Sequence, residues 1–374
     1  MARPLGAVRL RRGNPSCLAL GGVIFVFFVF FLFFSPHSHS KPPAPSRYHS
    51  SVKKSNGPPV TEYNLNNVTI TSDPIGNRES VLILTPMSRF YQEYWDNLLK
   101  LDYPHDLITL GFILPKTKEG NAATTELQKQ VIKTQKGPEK DRFGGVVILR
   151  QDFDPVLTSQ DEAERHKLEH QKARRSVMAR ARNSLLFTTL EPRISWVLWL
   201  DADIIETPPT IIQDLAFHNK PLIVPNCFQR FINPDTGKPD ERPYDFNNWQ
   251  DSETAQKLAA KMGPDEILLE GYAEMATYRT LMAYMETDGN AHTEVPIDGV
   301  GGAALLVRAD VHRDGAMFPA FPFYHLIETE GFAKMAKRLG WEATGLPNYR
   351  VSGAMHFRTH LSVSNPLKLG VPLQ

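Results

Sequence analysis

The chain has 374 residues, enough for one large core or two small ones, and its 42 basic and 41 acidic side chains leave a net charge of +1. That balance excludes the basic footprint of a nucleic-acid reader, so no nucleic-acid partner is expected. Only Cys17 and Cys227 are cysteines; on the topology below a membrane separates them, so no internal disulfide is expected and cysteine does not report the redox compartment.

Arg9, Arg11 and Arg12 precede an apolar run over 18–34. Roughly 17 residues at ~1.5 Å each reach about 25 Å, which suits a thin early-secretory bilayer. The positive-inside rule makes 1–17 a cytosolic tail, 18–34 a transmembrane signal anchor, and the remainder lumenal, a single-pass type II protein. A cleaved signal peptide is the rival, but the run is long for one and Ser35-Pro36-His37 offers no small-x-small cleavage site. Residues 35–78, rich in Ser, Pro, His and Lys at their start, read as a stem. Within it Asn67-Val68-Thr69 is an N-glycosylation acceptor.

The folded domain is expected over 79–374. Val81-Leu82-Ile83-Leu84 is a buried-strand pattern that Thr85-Pro86 ends; a helix is expected over 93–101, a second strand over 107–114, a helix over 124–133 and a third strand over 145–149. A long charged helix over 161–190 stops before Pro192, and Trp196-Val197-Leu198-Trp199-Leu200 reads as a central strand. A helix over 209–217 and a strand over 222–224 continue the alternation, which predicts an α/β fold with a mostly parallel, helix-covered sheet. Residues 228–296 break the rhythm as an insertion with turns at Asn233-Pro234 and Gly237-Lys238-Pro239 and helices over 253–261 and 277–285. A strand over 303–307, a helix over 324–339 and a short basic tail from Val351 complete the reading.

Asp201-Ala202-Asp203 ends the central strand, where ligands of open α/β sheets bind. Two carboxylates one residue apart can hold a hard divalent cation that neutralises a diphosphate, although such triplets are also common as solvated loop acids. A phosphotransfer enzyme with an attacking Asp201 is a second reading. Against it, Ile205 stands where that class carries Thr or Val, and no late acidic pair follows. Upstream, Lys172, Arg174, Arg175, Arg180 and Arg182 crowd one helix; Arg175 and Arg182 are seven apart on one face, and Arg180 and Asn183 are three apart. These cations suit a diphosphate, or else a solvated face paired with acids. Asp298 heads the run Asp298-Gly299-Val300-Gly301-Gly302, whose glycines permit close approach to a ligand or simply make a turn. His325, Glu328 and Glu330 lie on or beside the next helix. His356, near the C-terminus, is a candidate third metal ligand or a structural histidine.

The strings Trp199-Leu200-Asp201-Ala202-Asp203-Ile204-Ile205, Arg242-Pro243-Tyr244-Asp245-Phe246-Asn247, Asp298-Gly299-Val300-Gly301-Gly302 and 323–332 resemble those of the fungal mannan polymerase subunits, glycosyltransferase family 62, over nearly everything from Val81 to His360. The resemblance implies a GT-A-like fold, a Golgi membrane protein, GDP-mannose as donor, Mn2+ as metal, mannosylated N-glycan acceptors extended through α-1,6 or α-1,2 linkages, and sister subunits of one complex. It makes Asp201, Asp203 and His356 the metal set, with Asp203 the direct carboxylate ligand. Thr85 and Pro86 would lie at the guanosine, and Arg174, with Arg175 beside it, matches the family's arginine before the acidic motif. Together with Arg180, Asn183 and Asp298 these form the expected donor-binding set. Asp245 would face donor sugar or acceptor, and Glu328 and Glu330 would bind sugar hydroxyls, Glu330 joining Asp201, Asp203 and Asp245 in the catalytic set. The 228–296 insertion would face the acceptor. Donor and product are then both α-linked, so configuration is retained and the departing phosphate can take the acceptor proton. A non-catalytic scaffold subunit of the same complex is the remaining alternative.

Overall fold

The computed structural model describes residues 60–153, 168–270, 272 and 275–354. The expected anchor at 18–34, stem residues 35–59 and His356 lie outside them. No helix among the described residues is long and apolar enough to cross a membrane.

The first half alternates as the sequence predicts. In order come β1 (Ser80–Pro86), α1 (Gln92–Leu99), β2 (Ile108–Leu114), α2 (Lys118–Gln135), β3 (Gly145–Arg150), α3 (Leu168–Thr189) and β4 (Ile194–Leu200). Thr117 caps α2 by accepting from the Gly120 amide, which sets its start. The second half holds β5 (Ile204–Glu206), α4 (Ile211–Phe217), β6 (Leu222–Ile232), β7 (Pro239–Pro243), β8 (Trp249–Gln250), α5 (Glu253–Ala259), β9 (Thr280–Leu281), β10 (Val295–Ile297), β11 (Ala304–Arg308), α6 (Ala309–Arg313), α7 (Glu328–Arg338) and β12 (Ala343–Gly353).

The main sheet runs β10-β12-β6-β11-β4-β1-β2-β3, with β5 on β12 and β7 on β6. It is mixed rather than mostly parallel. β4, β1, β2 and β3 run parallel, as do β6 and β12, but β11 lies antiparallel to both β4 and β6. The alternating strand and helix signals of the first half held; the reversal at β11 carries no comparable local signature. Along β4 every residue is buried. Trp196, Leu198 and Leu200 join the core under α1, α2 and α4, while Val197 and Trp199 join the core under α3, α6 and α7. A strand with two buried faces reads as a continuous apolar run.

Four expectations need correction. The stretch 277–285 is not a helix. Tyr278 has a left-handed φ of 51°, Thr280 and Leu281 pair with β8, and a 3-10 turn over Met282–Tyr284 follows. The helix expected over 324–339 starts only at Glu328, because Tyr324 and His325 are left-handed, at φ 55° and 62°. The expected short strand at 222–224 is the start of an 11-residue strand whose hairpin to β7 turns at the Asn233-Pro234 and Gly237 signals, and the tail at Val351 is the end of β12.

Candidate active site

β4 delivers the acidic pair to the sheet's carboxyl edge. Asp201 extends the β4–β11 ladder by one rung, its amide donating to the Ala303 carbonyl at 3.0 Å, and the Ile204 amide donates back to the Asp201 carbonyl at 3.0 Å. The chain thus turns sharply between two hydrogen bonds and sets the Asp201 carboxyl beside α3.

Arg182 of α3 holds Asp201. Its Nη2 donates to Oδ1 at 2.9 Å and Oδ2 at 3.3 Å, and its Nε donates to Glu328 Oε1 at 3.1 Å. The guanidinium lies over the rings of Trp199 and Phe318, 5.5 and 5.6 Å from their centroids. Trp199 Nε1 in turn donates to His312 Nε2 at 3.3 Å, and His312 Nδ1 pairs with the Ala316 carbonyl at 2.9 Å. With the Arg182 side chain 3% exposed and Asp201 29%, this pair opens to solvent only on the acid side. Arg182 Nη1 is buried and finds no acceptor among the described residues. Burial pushes the Asp201 carboxyl up to about 7 against the pull of Arg182, with the charges of Asp203 and Glu328 adding to the rise. Glu328 itself is held at a left-handed φ of 56°, a strained conformation of the kind found at functional sites.

Asp203 Oδ2 accepts from the Tyr244 hydroxyl at 3.0 Å, and the Asp203 charge, then burial, raises that phenol well above its usual range. Asp245 is buried. It accepts from the Asn247 amide at 3.1 Å, and its pKa is raised by burial while the Asn247 and Ala303 amides and Arg175 oppose the rise. Ala303 therefore links Asp201, through its carbonyl, to Asp245, through its amide. The glycines before it matter for side chains rather than for a turn. A Cβ on Gly301 would stand 1.7 Å from Asp245 Oδ2, and one on Gly302 would stand 2.4 Å from Arg182 Nη2. Cys227, on β6, lies in the same field. Burial and then the charges of Asp245, Asp203 and Asp201 push its thiol up.

Two turns before Arg182, Arg175 forms a second, closed pair. Its Nη1 donates to Glu330 Oε2 and its Nη2 to Asn247 Oδ1 at 3.1 Å; the other Glu330 oxygen accepts from Trp249 Nε1 at 2.9 Å. The Glu330 side chain is 0% exposed. Burial disfavours the charged Arg175, but Glu330 and Glu328 outweigh it and its pKa is raised. Arg279 lies over the Trp249 ring, 3.6 Å from its centroid, and bonds to Asp251 and Glu270, at 2.9 and 2.7 Å.

Of the residues expected from the sequence, Asp201, Asp203, Asp245 and Glu330 are tied into this neighbourhood. Thr85 is fully buried with its hydroxyl 2.5 Å from that of Tyr94, a phenol whose pKa is raised by burial and also feels Asp201. Pro86 follows it at the end of β1, in register with Ile113 of β2. Asn183 uses both amide atoms on the Phe318 backbone, at 2.7 and 2.9 Å, so it braces the wall behind Arg182. Asp298 sits with the Asp251 amide and Lys337, at 2.8 and 2.6 Å. Arg174 and Arg180 are half-buried on α3, and Arg175 is the arginine that faces Glu330. Asn67 is exposed, in a 3-10 turn over Leu65–Asn67. The seven-residue spacing of Arg175 and Arg182 marks their shared helix face, but the contacts of Arg182, Tyr244 and Trp249 join residues distant in sequence and carry no local signal.

Among the described residues no group of three or more His, Cys, Asp or Glu is arranged to hold a metal. The donor set at the edge of β4 nonetheless fits a hard divalent cation. It offers two carboxylates, partly exposed and mutually repelling, and the orphaned Arg182 donor alongside would suit an anionic ligand oxygen.

The Anp1 family profile matches residues 59–322. The chain is 59% identical to the mannan polymerase complex subunit MNN9 of Candida albicans over 78% of this chain and 79% of that protein. It is 58% identical to mnn9 of Schizosaccharomyces pombe over 77% and 84%. Among solved structures, the mannosyltransferase PcManGT from Pyrobaculum calidifontis, in complex with GDP-Man and Mn2+, is similar over 78% of this chain and 61% of that one, at 12% identity and a TM-score of 0.40. With a match across most of its length and such identity to these subunits, the chain belongs to the Anp1 family of mannan polymerase complex subunits.

Proposed function

We propose that the protein is a metal-dependent, retaining α-mannosyltransferase of GT-A type that takes mannose from GDP-mannose and adds it to mannosylated N-glycans. It works beside sister subunits, anchored as a type II protein in the Golgi membrane. The reading is supported above all by one juxtaposition: Asp201 and Asp203 at the carboxyl end of β4, next to buried Arg182 with one unused donor. Asp203, Asp201 and, outside the described residues, His356 would hold Mn2+, which when bound would supply positive charge for a diphosphate leaving group. Arg182 keeps Asp201 oriented and offers Nη1 to a ligand oxygen. Tyr244 fixes the Asp203 carboxyl and keeps its own proton, since that phenol is pushed far from ionisation. Asp245 is placed by two backbone amides, where it can accept from a sugar hydroxyl.

The test is to incubate the full-length, detergent-solubilised protein with GDP-mannose, Mn2+ and an α-mannoside and to read the product linkage by NMR. An α-linked mannoside is expected. Transfer that proceeds equally with chelator, or a hydroxylamine-sensitive phosphate on Asp201, would contradict the proposal.

A further inference from the structure

The segment from Tyr244 to Trp249 is bonded into the site at every side chain but one. Tyr244 reaches Asp203, Asp245 receives the Asn247 amide, Asn247 receives Arg175, Asn248 receives the Gly301 amide at 2.8 Å, and Trp249 reaches Glu330. The exception is Phe246. Its ring stacks on that of Tyr284, with centroids 5.7 Å apart and planes 28° from parallel. Neither ring belongs to any of the three hydrophobic clusters among the described residues, so the pair does not pack the core. Phe246 is half-buried and Tyr284 is 64% exposed. The turn that carries Tyr284 is nonetheless fixed: the Met282 amide donates to the Asn248 carbonyl at 2.9 Å, and Asn226 Nδ2 donates to the Met282 carbonyl at 3.4 Å. An aromatic held this firmly and left in water still has apolar area that a ligand can bury.

We infer that Phe246 and Tyr284 form a stacking platform for one pyranose ring of the acceptor glycan. This rests on the transferase reading. A pyranose has an apolar C–H face and a rim of hydroxyls. The platform offers the apolar surface, exposed Tyr284 backed by the Phe246 ring, with half-buried Asn247 next to Phe246 in the chain as a polar neighbour. Nothing of the donor need touch it, so it contributes to acceptor affinity and leaves nucleotide binding alone. Because Tyr284 is mostly exposed, its replacement removes the platform at little cost to the fold.

The experiment is calorimetric titration of the full-length protein, in a detergent without a sugar headgroup, with a linear α-mannotriose and separately with GDP and Mn2+. Tyr284→Ala should weaken mannotriose about tenfold, Tyr284→Trp should restore it, and GDP affinity should be the same in all three proteins. Mannotriose that binds wild type and Tyr284→Ala equally, or fails to bind wild type, overturns the inference. So does loss of co-purifying subunits from Tyr284→Ala, which would make the rings a protein interface. A wild type that binds mannotriose through Tyr284 but not GDP refutes the donor reading while leaving the platform standing.

Discussion

Arg175 and Arg182 stand two turns apart on α3, both buried and both facing carboxylates, yet they do different work. Arg175 meets Glu330, whose two oxygens are taken by Arg175 and Trp249 and whose side chain sees no solvent. Arg182 meets Asp201 and Glu328 and keeps one donor unused, while Asp201 is 29% exposed and has Asp203 as its neighbour. The first pair is closed, and its charges neutralise each other. The second is open on one side and holds carboxylates that repel one another. Buried ion pairs with every atom satisfied fix a geometry, whereas partly satisfied ones leave interaction free for a ligand. The comparison separates scaffold from working site on one helix without appeal to the chemistry of any single residue.

The largest expected effect falls on the closed pair. Glu330→Ala would leave Arg175 buried without its carboxylate and Trp249 Nε1 without an acceptor, costing about 3–5 kcal/mol of stability. Denaturant unfolding of the solubilised protein measures it; a loss below about 1 kcal/mol, on the scale of an exposed ion pair, would put Glu330 in the working site instead.

A slightly smaller effect separates the wall behind the open pair. His312 is fully buried, and burial holds its pKa at about 4, below the ordinary 6.5. The unfolded chain therefore takes up a proton that the folded one refuses between those values. Stability from this group is complete above about pH 6.5 and is lost as pH falls towards 4, by at most about 3 kcal/mol. Urea unfolding at pH 7.5 and 4.5 should show His312→Asn to be less sensitive to the fall than wild type. Equal sensitivity would mean that protonated His312 is tolerated beneath Trp199 and Arg182.

Much of the open site was legible in the sequence. Asp201 and Asp203 follow the apolar run Trp196–Leu200, the pattern of a strand with two buried faces. The arginines at seven-residue spacing marked the helix face that meets it. The closed pair was not legible, since it joins Arg175 to Glu330 across 155 residues, and Glu330 looks in sequence like any helical acid. Nor was the late onset of α7. Tyr324-His325-Leu326 carries helix-compatible residues, and tertiary contact, such as the Leu268 amide on the His325 carbonyl at 2.8 Å, holds them in another conformation. β12 was missed because Pro347 and Asn348 interrupt it, and its register shifts between Leu346 and Arg350.

The smallest stability effect belongs to the residue with the largest functional one, and it tests the division of labour most directly. Asp203→Asn keeps the shape of the side chain and relieves repulsion with Asp201, so its unfolding free energy should equal or slightly exceed that of wild type. In the same preparation, calorimetry should find GDP binding strengthened by Mn2+ in wild type and indifferent to Mn2+ in the variant. Variant and wild type alike in their Mn2+ response would contradict the assignment of Asp203 to the working site, and a variant that fails to fold would contradict the separation of that site from the scaffold.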